Sequence, residues 1–143
     1  MSDLTKAISI ATSAHESQVD KGGQPYIQHP LRVMEQMTTD AARIVAVLHD
    51  VIEDSDYSFD DLVAAGFSEE IVQAIEALTK QKGESYKNYL RRIKTNPIAI
   101  AVKLADLQDN MNLIRLPTIT EKDIERQKKY SKAVDILKNN EQV

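Results

Sequence analysis

The chain has 143 residues, 42% of them hydrophobic, which is long enough for one domain to bury a core without covalent staples. It contains no cysteine, so a disulfide framework, a thiolate nucleophile and cysteine-held zinc or iron–sulfur sites are excluded, and any metal must be held by histidine and carboxylate. With 22 acidic against 18 basic residues the net charge is -4, which argues against a protein that coats nucleic acid but leaves room for a small anion in a locally cationic pocket.

In chain order the pattern is helical almost throughout. Met1 to His15 carries Asp3 and Lys6 and no apolar run suited to a signal peptide, and the longest uncharged apolar stretch, Ile44 to Leu48, is too short to span a bilayer. The expectation is a cytoplasmic chain without a membrane partner. Leu4, Ala7, Ile8, Ala11 and Ala14 predict a helix to about Gln18, broken by the polar Asp20-Lys21-Gly22-Gly23-Gln24-Pro25. His29-Pro30 opens a second helix to about Thr39, and a third runs from Ala41 to about Asp54. Ser58-Phe59-Asp60-Asp61 is a capping box for a short helix that ends at Gly66. Ser68 starts a helix to about Lys80, and after Gly83 another runs from Ser85 to about Lys94. Asn96-Pro97 opens a long apolar helix to about Ile114, Pro117 interrupts, and Thr120-Glu121-Lys122-Asp123 caps a last helix to about Asn139. Without repeats, linkers or bounded alternating runs, the chain reads as one all-α domain over 1–143: a compact bundle of seven or eight helices, with its core in about 4–138 and a short polar C-terminal tail.

Two of these helices carry chemistry. At about 100° per residue, Ile44, Val45, Val47, Leu48, Val51 and Ile52 share one side of the third helix, and His49, Asp50, Glu53 and Asp54 share the opposing arc. Alanines on that polar side suggest a helix buried nearly all round, where four ionisable groups need pairing or a metal. The competing reading makes Glu53 and Asp54 the solvated end of a surface helix. On the apolar helix from Pro97, the residues Lys103, Asp106 and Asn110 fall on one narrow face. Asp106 there wants a cation, and Lys103 is one candidate partner. His29 at a helix start and His15 on the first helix read individually as structural or hydrogen-bonding histidines. Together, His29, His49, Asp50 and Asp106 supply two imidazoles and two carboxylates, a set suited to manganese, iron or another divalent ion, with Glu53 and Asp54 as general acid–base candidates.

The series His15-Glu16-Ser17-Gln18, Lys21 to Pro30, Leu48-His49-Asp50-Val51-Ile52-Glu53-Asp54, Leu78-Thr79-Lys80 and Lys103-Leu104-Ala105-Asp106 resembles the HD-domain hydrolases of the RelA/SpoT type, over roughly Leu4 to Asp135. A free-standing chain of this length is most similar to the small alarmone hydrolases among them. The resemblance implies an all-α HD bundle and manganese-dependent removal of 3′-pyrophosphate from guanosine tetra- or pentaphosphate. By that likeness His29, His49, Asp50 and Asp106 are metal ligands, and Glu53 and Asp54 activate or orient the attacking water. It also implies that Lys21, Asn110, Arg126 and Tyr130 face the nucleotide. For such a hydrolase, Lys21, Lys103, Arg126 and Lys129 are the expected cations that help neutralise the phosphates.

The chain departs from the family at two places. Asp20 stands where the family has arginine, and an aspartate offers no cationic plane to stack on a purine. Leu107-Gln108-Asp109 stands where the family has Arg-Leu-His. Two alternatives therefore stay open: hydrolysis of another phosphorylated nucleotide, such as an adenosine alarmone or a nicotinamide dinucleotide phosphate, or a nucleotide-binding regulatory module without useful turnover. The sequence leaves the oligomeric state open as well.

Overall fold

A computed structural model describes residues 3–112 and 118–138. Helices α1 (Asp3–Ala14), α2 (Gln28–Glu35), α3 (Asp40–Leu48), α4 (Val51–Asp54), α5 (Phe59–Ala64), α6 (Glu69–Leu78), α7 (Tyr86–Lys94), α8 (Pro97–Asn110) and α9 (Glu121–Lys138) follow one another along the chain. Among the described residues the sole β pairing is an isolated bridge between Val19 and Pro25. Counting α3 and α4 as one interrupted helix, the described part is an all-α bundle of eight helices, as the periodicity predicts. No described helix is long and apolar enough to cross a membrane.

Most helix starts follow the capping residues. Thr39, Ser58, Ser68, Ser85 and Asn96 each accept a hydrogen bond from the backbone N–H three residues on, and Pro97 occupies the first turn of α8. At Ser58 the reciprocal half is also present, with Asp61 accepting from the Ser58 N–H. Such a cap contributes about 1 kcal/mol, so these residues decide where each helix begins.

Several ends differ from the periodicity. The first helix stops at Ala14 because the chain turns over 15–17, where Ser17 takes a left-handed φ of 70°. The second ends at Glu35, since Thr39 adopts an extended conformation to cap α3. The third is interrupted at His49–Asp50. There the His49 N–H reaches back only three residues, to the Ala46 carbonyl, and the His49 ring bonds that same oxygen. Helix α6 ends at Leu78, with Thr79 extended, and α8 ends at Asn110. The expected ends at Ile114 and Asn139, the break at Pro117 and the C-terminal tail lie outside the described residues.

Helix α3 is the centre of the bundle, packed against α1, α2, α6 and α8, while α8 also meets α7 and α9. Val45, Val47, Leu48, Val51, Leu62, Ile75, Ile93, Val102 and Leu107 are fully enclosed. Ala7 and Ala11 of α1 and Ala42 and Ala46 of α3 are also buried, and such small side chains let helix axes approach closely. Two facing elements, the end of α3 and the middle of α8, thus hold polar side chains deep in an apolar frame.

Candidate metal centre and its cleft

Three segments bring the four expected ligands together. His29 comes from the first turn of α2, His49 and Asp50 from the interruption between α3 and α4, and Asp106 from α8. One donor atom from each lies within 4.8 Å of all the others. His29 Nε2 is 2.7 Å from Asp106 Oδ1 and 3.9 Å from Asp50 Oδ2, and His49 Nε2 is 3.2 Å and 3.1 Å from the same two atoms. The interruption is what places Asp50 here, since it turns the carboxylate beside the His49 ring.

The outer ring nitrogens are committed elsewhere. His49 Nδ1 donates to the Ala46 carbonyl at 2.5 Å, and because a carbonyl only accepts, the proton sits on Nδ1. His29 Nδ1 donates to Asp109 Oδ2, also at 2.5 Å. Both Nε2 atoms therefore face the two inward carboxylates. Burial opposes charge on His49, but Asp50 and Asp106 outweigh it and raise its pKa well above the usual histidine value. Burial likewise opposes ionisation of Asp106, which Lys103 and the two imidazoles reverse, holding it well below the carboxylate range. Two imidazoles and two carboxylates converging on one point form a donor set that suits a divalent cation.

The surroundings brace this cluster. Tyr26 Oη donates to Asp50 Oδ2 at 2.5 Å, and Asn110 Nδ2 donates to Asp106 Oδ1 at 3.3 Å. Lys103 Nζ lies 3.0 Å from Asp106 Oδ2 and 5.3 Å from the centroid of the Tyr89 ring, so the Lys103–Asp106 pairing foreseen from their spacing is present. Tyr26 and Asn110 also line a cleft of about 260 Å³ together with Lys21, Arg126, Gln127 and Tyr130. Lys21, Asn110, Arg126 and Tyr130 therefore share one wall system. Arg126 is ion-paired with Asp123, which the Thr120 N–H and hydroxyl also contact. Slight burial and the nearby Arg126 lower the Lys21 pKa. Lys129 does not line this cleft; its Nζ lies 4.1 Å over the Tyr86 ring.

Glu53 and Asp54 occupy α4 and are exposed, unlike Ala42 and Ile44 to His49. Burial nearly all round thus holds for the body of the helix and not for its end. Glu53 Oε1 accepts the Lys80 N–H at 2.7 Å, which ties it to the α6–α7 loop. Partial burial and the charge of Asp50 raise the Asp54 carboxyl above its usual range. His15 stands apart from the four ligands: its Nδ1 bonds Gln18 Oε1 at 2.9 Å and its ring rests on Tyr26. Asp20 Oδ1 accepts the Gly22 and Gln24 N–H groups, so this carboxylate is turned into its own loop.

Sequence reasoning missed Tyr26, Arg32, Asp109 and Tyr86. Arg32 follows His29 by three residues and Asp109 follows Asp106 by three, a shared helix-face spacing that a search for second partners could have used. The Tyr86 hydroxyl is buried without a hydrogen-bond partner among the described residues, and no sequence signal marks it.

The HD domain family profile matches residues 7–133. A guanosine-3′,5′-bis(diphosphate) 3′-pyrophosphohydrolase of Vibrio cholerae is 33% identical over 78% of the chain, and one of Aquifex aeolicus is 29% identical over 78%. A probable GTP pyrophosphokinase of Mycobacterium leprae is 29% identical over 80%. The chain spans only 18%, 18% and 16% of the length of these relatives, in that order. A solved structure described as a metazoan ortholog of SpoT that hydrolyzes ppGpp superposes with a TM-score of 0.78 at 26% identity, covering 97% of this chain and 87% of the other. HD domains bind divalent metals, and a His/Asp cluster that could hold one is present here. The chain belongs to the HD-domain family and is homologous to the SpoT/RelA-type ppGpp hydrolases.

Proposed function

We propose that the chain is a divalent-metal phosphohydrolase that removes 3′-pyrophosphate from guanosine tetra- or pentaphosphate, with His29, His49, Asp50 and Asp106 holding Mn2+. The convergence of these four donors, joined through Tyr26 and Asn110 to a cleft that Lys21, Arg126 and Tyr130 also line, carries the reading. A bound divalent cation would supply Lewis-acid charge to a phosphoryl group and acidify water at neutral pH. Mn2+ is favoured by a donor set that mixes imidazole with carboxylate and lacks sulfur.

The chain's own residues do the rest. Tyr26 and Asn110 hold Asp50 and Asp106 in register while forming the cleft wall. Lys21 and Arg126 offset phosphate charge, Tyr130 adds an aromatic face, and Lys103 keeps Asp106 ionised from the opposite side. Lys129, over Tyr86, adds positive charge beyond the cleft. Asp54, with its raised carboxyl beside Asp50, accepts the proton of the attacking water, and Glu53, fixed on the Lys80 N–H, orients that water.

The test is pyrophosphate release from guanosine tetraphosphate with and without Mn2+. No turnover by the metal-loaded chain would sink the alarmone reading. A second reading, hydrolysis of another phosphorylated nucleotide, is favoured by Asp20, whose carboxylate is turned into its own loop and offers no stacking plane. Adenosine alarmones and nicotinamide dinucleotide phosphate in the same assay separate the two, and higher turnover of either replaces the first.

A further inference from the structure

If the cluster holds a metal as proposed above, His29 has to be aimed at it, and residues on two helices do so. Helices α2 and α8 each present two residues three apart on facing sides, His29 with Arg32 and Asp106 with Asp109. Their side chains are linked by hydrogen bonds. His29 Nε2 meets Asp106 Oδ1 at 2.7 Å and His29 Nδ1 meets Asp109 Oδ2 at 2.5 Å. Arg32 donates Nε to Asp109 Oδ1 at 2.8 Å and Nη2 to Asp109 Oδ2 at 3.0 Å.

A planar guanidinium engaging both oxygens sets the plane of a carboxylate, and that plane sets the rotation of a ring bonded to it. Charge on Asp109 makes it an acceptor toward the imidazole, so the Nδ1 proton stays in place and the Nε2 lone pair is directed at the cluster. A carboxylate on the far nitrogen also makes an imidazole a better donor to a cation. Asp109 and His29 side chains are only 13% and 6% exposed, which shelters this bond from water.

We propose that Asp109, locked by Arg32, is the positioning residue of the metal centre, setting the tautomer, ring orientation and donor strength of His29. Asp109 lies one turn beyond Asp106 on α8, and the arginine that locks it comes from α2. The competing role is mechanical: the same contacts fasten α2 to α8.

The two roles separate in a titration of the metal-free chain with Mn2+ by calorimetry, beside thermal unfolding without metal. For Asp109→Asn the dissociation constant should rise about 10- to 100-fold. Arg32→Gln should raise it less, in the same direction, and serves if Asp109→Asn does not fold. In the wild-type chain loaded with diamagnetic Zn2+, ring 15N shifts should place the His29 proton on Nδ1. Unchanged Mn2+ affinity in a folded variant, with lowered metal-free Tm, would show that the contacts only fasten helices and overturn the proposal. A His29 proton found on Nε2 would overturn it too. Failure of the wild-type chain to bind Mn2+ overturns the metal reading itself, an outcome distinct from loss of the Asp109 effect alone.

Discussion

Asp54→Asn isolates proton transfer from structure. The Asp54 side chain is half out in solvent, and the bonds of its backbone, the N–H to the Asp50 carbonyl and the carbonyl from Gln18 Nε2 at 2.9 Å, survive the substitution. Its carboxyl is raised by burial and by Asp50, so the folded state disfavours the ionised form. At neutral pH that charge costs stability, and the amide removes the cost, so Tm should hold or rise slightly. Loss of a general base lowers kcat by about 10²- to 10⁴-fold, or about 2.7–5.4 kcal/mol at about 1.36 kcal/mol per decade. Pyrophosphate release under saturating Mn2+ measures this directly. The wild-type kcat/KM should fall with acid through a pKa above the usual 3.8 of an aspartate, and Asp54→Asn should lose that limb. Glu53→Gln provides the contrast, because its amide oxygen can still accept the Lys80 N–H. Retention of kcat within about threefold by folded, metal-loaded Asp54→Asn would refute the role given to Asp54.

Mn2+ at about 100 times its dissociation constant should stabilise the fold by about 2.7 kcal/mol, shifting Tm by about 5–10 °C, with EDTA reversing the shift; scanning fluorimetry reads it. Glu84 is held at about 2 by the Arg92 guanidinium, with bonds of 2.6 and 2.8 Å, and by the Gln81 N–H. Its folded value lies below its ordinary 4.5, so its contribution is present above pH 4.5 and lost as pH falls through about 2. The Tm gap between wild type and Glu84→Gln should therefore close over that interval. Tyr86→Phe removes a buried hydroxyl without a hydrogen-bond partner among the described residues, so denaturant unfolding should show unchanged or slightly higher stability, and a loss above about 1 kcal/mol would contradict that environment.

The order of helices and most of their starts follow from local chemistry, which the sequence carries in full. Thr120 illustrates it, since its cap on α9 needs only Asp123 three residues on. The clustering of these ionisable residues was also legible, because His49-Asp50 and Asp106 sit within apolar helical patterns where ionisable groups are expensive unless matched. What the sequence could not carry was the interruption at His49–Asp50. A regular helix would have placed His49 and Asp50 about 100° apart, whereas the interrupted segment sets the His49 ring 3.1 Å from Asp50 and 3.2 Å from Asp106. The exposure of Glu53 and Asp54, the distance of Lys129 from the cleft and the inward turn of Asp20 were likewise decided by neighbours remote in sequence or by loop closure. The sequence by itself determined that the protein is an all-α HD domain with two imidazoles and two carboxylates available to a metal. Tertiary structure decided their mutual aim, through contacts such as Arg32–Asp109–His29 that span 77 and 80 residues, because hydrogen-bond direction depends on how whole helices pack and not on spacing within one.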